Sequence, residues 1–144
     1  MTKAATYDDV SLILKLYDMR REPRLREARA WFSSSFKCKT GEEMLKLCPP
    51  GSEENASSRM VVTYWEMVAS FIISGVLNQE LFFQSGRELL FVWERIRDLV
   101  PAMREMYKDP TWLGNFEKVA VAYIEWMKRH APDAYEAFSA RVRG

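Results

Sequence analysis

The sequence predicts an all-α fold, an irregular helical bundle of six to seven helices that form one domain over residues 1–144. Strand signals are nearly absent, because no segment alternates apolar and polar residues for long, whereas a 3.6-residue apolar period recurs throughout. Prolines, glycines and capping residues divide this pattern into helix-sized segments. With 48% hydrophobic and 28% charged residues, the chain has the composition of a soluble globular protein.

Three helices are predicted before residue 50. The first, over 8–22, is apolar on two sides, which predicts that it lies between other helices. Pro23 ends it, and the second helix follows over 24–36. The third, over 40–48, begins with a capping box, in which Thr40 and a glutamate three residues later each satisfy a backbone donor of the first turn.

Two longer helices, over 55–74 and 79–100, are predicted to form a central antiparallel hairpin. Five polar residues of the first fall within a strip about 80° wide, so most of that helix is expected to be buried. These residues are Arg59, Thr63, Glu66, Ser70 and Ser74. Gly75 is expected to end it and Asn78 to cap the next. Residues spaced four and three apart predict a packing seam in the second: Phe82, Gly86, Leu89, Trp93, Ile96 and Val100.

Three shorter signals organise the C-terminal part. Pro101 ends one helix or begins the next. Asp109 and Pro110 are expected to be the N-cap and first residue of a helix that ends near His130, and Pro132 precedes a final helix. Five large residues should be substantially buried in this bundle: Trp65, Phe71, Leu89, Trp93 and Tyr123.

The most apolar stretch does not have the length of a membrane span. The uncharged run over 67–77 has 11 residues, whereas a spanning helix needs about 20. The first 16 residues contain no uncharged apolar segment typical of a signal peptide. The expectation is therefore a cytoplasmic protein without membrane insertion.

Four stretches together suggest a relationship: "LYDMRREPRLREARAWF", "TYWEMVASFIISGVLNQELFF", "LLFVWERI" and "DPTWLGNFEKVA". They resemble a bacterial family of small all-helical proteins that is catalogued only as a domain of unknown function. The likeness covers roughly residues 10–125. It implies an α-only, bacterial, single-domain protein; some relatives carry a membrane anchor before this domain. It implies no activity and supplies no catalytic residues.

Catalytic and metal-binding patterns are not found. His130 is the only histidine and lies at a predicted helix end, where a cation is favoured by the helix dipole. Cys38 and Cys48 match neither a disulfide framework nor a zinc spacing, so they are expected to be reduced and partly buried. No Glu-x-x-His pair and no glycine-rich phosphate loop is present. We therefore expect no enzyme activity, no metal and no cofactor.

Glu66 is the helical carboxylate expected to be semi-buried. The favoured interpretation is an ion pair with an arginine at the edge of the core. The alternative is a pocket formed with Trp65, in which the pKa of Glu66 is raised and a small apolar ligand binds.

The charge is unevenly distributed. Residues 15–39 carry a net charge of +5, within a chain whose net charge is +1. The favoured interpretation is a solvated face neutralised by local i,i+3 and i,i+4 pairs. The alternative is a surface that binds nucleic acid or an acidic partner. Its contact residues would be Arg20, Arg21, Arg24, Arg26 and Arg29.

Phe91 projects away from the predicted seam, between Arg87 and Arg95. Either another helix covers it, or it is exposed and contacts a partner or a second copy of the chain. The leading functional hypothesis is a non-catalytic helical interaction or regulatory module, with homodimerisation as one form of that interaction.

Overall fold

The computed structural model describes residues 3–144, and these residues form nine α-helices without a β-strand. The all-α prediction is therefore confirmed, with a helix count slightly above the six to seven expected. The helices are α1 (Tyr7–Arg20), α2 (Pro23–Ser35), α3 (Gly41–Leu47), α4 (Glu53–Ile73), α5 (Gln79–Phe83), α6 (Arg87–Ile96), α7 (Val100–Tyr107), α8 (Gly114–His130) and α9 (Pro132–Arg143).

Side-chain caps determine where several helices begin. The Glu22 carboxylate accepts the first backbone N–H groups of α2, at 3.1 and 3.0 Å. A hydroxyl or amide oxygen accepts an N–H three residues later at the start of α3, α4 and α5, from Thr40, Ser52 and Asn78 respectively. Gly75 ends α4 with a φ of 84°, a conformation that favours glycine. The predicted Gly75 and Asn78 boundaries are therefore confirmed.

Helix α4 is the centre of the bundle. It packs mainly against α2 and α8, and α8 packs in turn against α6 and α9. The predicted second arm of the hairpin, residues 79–100, is divided instead into α5, α6 and the start of α7. The division occurs because the chain turns at Gly86, the N-cap of α6, where a Cβ atom would lie 2.4 Å from the Phe82 ring. This ring leaves no space for any larger residue.

The core contains four of the five large residues expected there. Trp65, Leu89, Trp93 and Tyr123 are buried, whereas Phe71 is only partly buried and packs against the core. The two cysteines, Cys38 and Cys48, are free and buried. Burial raises the pKa of the Cys38 thiol to about 11. Both thiols therefore belong to the packed interior.

Two local expectations are wrong. Helix α1 does not lie between other helices, since its neighbours cover one side only and Leu14 on the other side is 59% exposed. Helix α8 does not begin at Asp109–Pro110. The Asp109 carboxylate instead accepts the N–H and hydroxyl of Thr111 and forms a turn. Leu113 then adopts a left-handed conformation with φ of 56°, so α8 begins only at Gly114.

No helix within residues 3–144 combines the length and the hydropathy that crossing a membrane requires.

Candidate functional site

Glu66 caps a neighbouring helix. One carboxylate oxygen accepts the backbone N–H of Phe116 at 3.0 Å, and the other accepts the side-chain amide of Asn115 at 2.8 Å. Helix α8 receives no capping hydrogen bond from its own N-cap residue, Leu113. Glu66 therefore supplies from α4 the acceptor that the start of α8 lacks. The favoured interpretation of an ion pair with arginine is wrong, because the partner is a helix N-terminus.

The proposed pocket beside Glu66 has little space. Trp65 is 2% exposed and lines a cavity of about 20 Å³, whereas Glu66 lines none of the five cavities described in residues 3–144. A volume of this size holds about one water molecule and no larger ligand. Ligand binding at Glu66 and Trp65 therefore stays a prediction, and the cavity that Trp65 lines is too small for such a ligand.

Three arginines of the basic segment, residues 15–39, pair with distant helices. Arg29 makes a bidentate contact with Glu88 of α6, at 2.7 Å for each of two bonds, and Arg20 approaches the same carboxylate at 3.4 Å. Arg24 pairs with Glu53 of α4 at 3.2 Å. The prediction that these arginines form i,i+3 and i,i+4 ion pairs within the segment is therefore wrong. One reason is that Glu22, a local acid, already binds the backbone at the start of α2.

Two arginines of the segment remain exposed, Arg21 and Arg26. The Arg26 guanidinium donates to the backbone carbonyl of Arg21 at 2.9 Å. Within residues 3–144 neither guanidinium forms a salt bridge. Of the five arginines predicted to contact a polyanion, two are therefore exposed without an ion pair in the described part of the chain.

The structure brings part of both predicted contact sets into one cleft between α2 and α6. This cleft has a volume of about 470 Å³ and is lined by Arg26, Arg29, Arg87 and Phe91. Phe91 is partly buried against the core. The Arg95 guanidinium lies 4.8 Å from its ring centroid, within the range of a cation–π contact. Phe91 is thus largely covered by its own chain.

Arg95 joins the ends of two helices. Its guanidinium donates to the carbonyls of Phe36 and Val142, each at 2.8 Å, and to that of Ser33 at 3.2 Å. These carbonyls lie at the C-terminal ends of α2 and α9, where a cation is favoured. Burial lowers the pKa of Arg95. Arg95 is therefore occupied inside the fold, whereas Arg87 is exposed and lies 5.7 Å from the Phe138 ring.

Glu94 is the most deeply buried carboxylate of the described chain, with a residue exposure of 2%. It accepts hydrogen bonds from Ser139 at 2.5 Å and Tyr135 at 3.1 Å, both on α9, and forms a salt bridge with Arg97 at 3.3 Å. The expectation that only Glu66 is semi-buried is therefore wrong. Because each oxygen of Glu94 has a partner, this group serves to attach α9 to α6.

An apolar row covers the outer face of α1. It consists of Tyr7, Val10, Leu14 and Tyr17, which are 82%, 42%, 59% and 48% exposed. Their spacing of three, four and three residues places them on one helix face. We call these four residues the α1 stripe. It combines exposure and apolar character in one continuous row.

The family model described as "Domain of unknown function (DUF4760)" matches residues 5–126. The chain belongs to this family. The DUF4760 match extends from just before α1 to within α8 and leaves α9 outside. No match was found among curated proteins, and none among solved structures.

His130 lies exposed at the end of α8, where its ring centroid is 4.4 Å from that of Trp126 and the two rings are tilted by 31°. Its Nδ1 atom lies 2.8 Å from the Trp126 carbonyl oxygen. Within residues 3–144, no three side chains of His, Cys, Asp or Glu are grouped in a way that could hold a metal ion.

Proposed function

We propose that this DUF4760 chain is a non-catalytic helical interaction module that forms a homodimer through the α1 stripe. The observation that carries the proposal is the exposure of Tyr7, Val10, Leu14 and Tyr17 along one helix face. Soluble monomers rarely expose contiguous apolar patches larger than about a few hundred Å², and patches of that size commonly mark interfaces. The heptad-like spacing suits packing against another helix.

The stripe is symmetric along its helix, which favours a second copy of the same chain as the partner. In an antiparallel pair related by a two-fold axis at the level of residue 12, Tyr7 faces Tyr17 of the second copy. Val10 likewise faces Leu14. A two-fold interface requires this kind of self-complementary surface. Each residue of the stripe then faces an apolar or aromatic residue of the second copy.

The size of the stripe predicts a weak dimer. Full burial of a large apolar side chain contributes about 1.5–3 kcal/mol. The dimer would bury eight stripe side chains, four from each copy, and each would gain about half of this amount. The total of about 6–12 kcal/mol is opposed by an association cost of about 4–15 kcal/mol. The dissociation constant is therefore expected to be no tighter than about micromolar.

Sedimentation velocity over a concentration series tests the proposal. We expect the sedimentation coefficient to rise with concentration for the parent chain and not for Val10→Asp. Val121→Asp is the matched control, since Val121 is also a helical valine, on α8, with 48% exposure against 42% for Val10. A parent chain that remains monomeric at several hundred micromolar, or equal loss of dimer in both variants, contradicts the proposal.

Binding of nucleic acid or an acidic partner through residues 15–39 is the alternative. It has less support, because carboxylates of other helices already bind Arg20, Arg24 and Arg29. Polyanion binding predicts an affinity that falls steeply with salt. A gel shift at low salt that is lost in an Arg21→Gln, Arg26→Gln variant would favour this alternative.

A further inference from the structure

An apolar groove lies between α3, α4 and α7. Its volume is about 490 Å³, within the range of about 300–1,000 Å³ that is typical of small-molecule sites. Buried side chains form its floor, among them Val62, Leu99 and Met103. Leu45 and Met106, which are 45% and 50% exposed, form part of its rim. The groove therefore presents apolar surface at every depth.

The lining is soft and mainly apolar, and its polar groups belong to Asn55, Ser58, Arg59, Thr63, Tyr107 and Trp112. Three methionines line the groove, Met44, Met103 and Met106, and their unbranched side chains adapt to a flexible apolar ligand. Cys48 adds a buried thiol whose pKa is raised by burial. This thiol stays protonated at neutral pH, so the wall that it forms remains uncharged.

One cation stands at the edge of the groove. Arg59 is exposed, and it is the only charged residue among those that line the groove. Its guanidinium forms no salt bridge within residues 3–144. The nearby hydroxyls of Ser58 and Thr63 already donate to backbone carbonyls of α4. An apolar body would complement the floor of the groove, and an anionic end would complement the one charge among its lining residues.

We propose that the groove binds a single-chain amphiphile with an anionic head, the chain lying along the methionines and the head group on Arg59. A helical peptide is about 10–12 Å across with its side chains and would place only its apolar face in the groove. An alkyl chain is narrower and follows the groove. The site lies on α3, α4 and α7, apart from the α1 stripe, and goes beyond the proposed function.

Methyl NMR of the parent chain, labelled with ¹³C at the methionine methyl groups, tests the proposal. The probe is dodecanoate below its aggregation concentration. We expect the resonances of Met44, Met103 and Met106 to shift in a saturable manner. Met19 is the internal control, because it is 47% exposed on α1 and would report unspecific association with apolar surface. Shifts at Met19 alone, or at no methionine, overturn the proposal.

The charge of the head group is tested separately. Arg59→Gln should weaken dodecanoate binding by roughly two- to fivefold, as expected for an exposed ion pair. Arg129→Gln, at an exposed arginine of α8, should leave it unchanged. Dodecanol should bind the parent more weakly than dodecanoate. Equal binding of the alcohol with no effect of Arg59→Gln would overturn recognition of the head group. Groove resonances that respond to an amphipathic helical peptide and not to dodecanoate would overturn the choice of ligand.

Discussion

The Glu66 cap provides a sensitive test of how α4 holds α8 in place. Glu66→Ala removes the acceptors of the Phe116 N–H at 3.0 Å and the Asn115 amide at 2.8 Å. Loss of an N-terminal cap costs about 0.5–2 kcal/mol, and loss of a carboxylate at the positive helix end costs about 0.3–1 kcal/mol. We expect a total of about 2 kcal/mol, which lowers the melting temperature by about 4–8 °C for a chain of this size.

Urea denaturation followed by circular dichroism measures this difference. Glu66→Gln should lose about half as much stability, because its amide oxygen still accepts one hydrogen bond while the charge is gone. Glu125→Ala removes an exposed carboxylate of α8 and is the control, with an expected change within about 0.5 kcal/mol. If Glu66→Ala is no less stable than Glu125→Ala, the capping role of Glu66 is refuted.

Three further predictions concern packing, titration and ion pairing. Gly86→Ala should lower the free energy of unfolding by about 1–3 kcal/mol, because its Cβ would lie 2.4 Å from a phenylalanine ring. Gly114→Ala is the control. It has open space around it and should be neutral or stabilising in the same urea titration. Burial raises the pKa of Tyr64 to about 12, so the unfolded chain loses this proton first above about pH 10. The free energy of unfolding should therefore fall as pH rises from about 10 to 12, and it should fall less steeply in Tyr64→Phe than in the parent chain. An equal slope in the two chains would contradict the burial of the Tyr64 hydroxyl. Arg29→Lys should lower the free energy of unfolding by about 1–2 kcal/mol, because lysine cannot make the bidentate contact with Glu88. Arg26→Lys, on the exposed side of α2, should lower it by under about 0.5 kcal/mol. Equal decreases in melting temperature for the two variants would count against a special role of Arg29.

The helix boundaries that depend on local chemistry could be predicted from the sequence. Thr40, Gly75 and Asn78 act where they were expected to, because a cap needs only residues within one turn. The break at Gly86 could not be predicted in the same way. A glycine in a periodic apolar pattern is compatible with a packing contact inside a helix or with a turn. Only the position of the Phe82 ring distinguishes the two.

The partners of the charged residues were beyond sequence reasoning. Glu66 binds a backbone N–H, and a backbone donor leaves no signal in the sequence. Arg29 and Glu88 are 59 residues apart, so their pairing depends on how the fold places α2 and α6 relative to each other. Glu94 lies beside Arg95 in the sequence and therefore has the local pattern of a surface residue. Its burial depends on two hydroxyls of α9 that lie more than 40 residues away.

Disulfide cross-linking across the α1 stripe tests the central claim most directly. In the antiparallel pair, residue 7 of one copy faces residue 17 of the other, whereas like positions lie about 15 Å apart along the helix. A disulfide needs Cβ atoms about 3.5–4.5 Å apart. The native thiols, Cys38 and Cys48, are buried and should not interfere. We predict a covalent dimer when Tyr7→Cys and Tyr17→Cys chains are mixed under mild oxidation, and little when either is oxidised alone. Cross-linking of like chains only, or no covalent dimer in the mixture, would contradict the account.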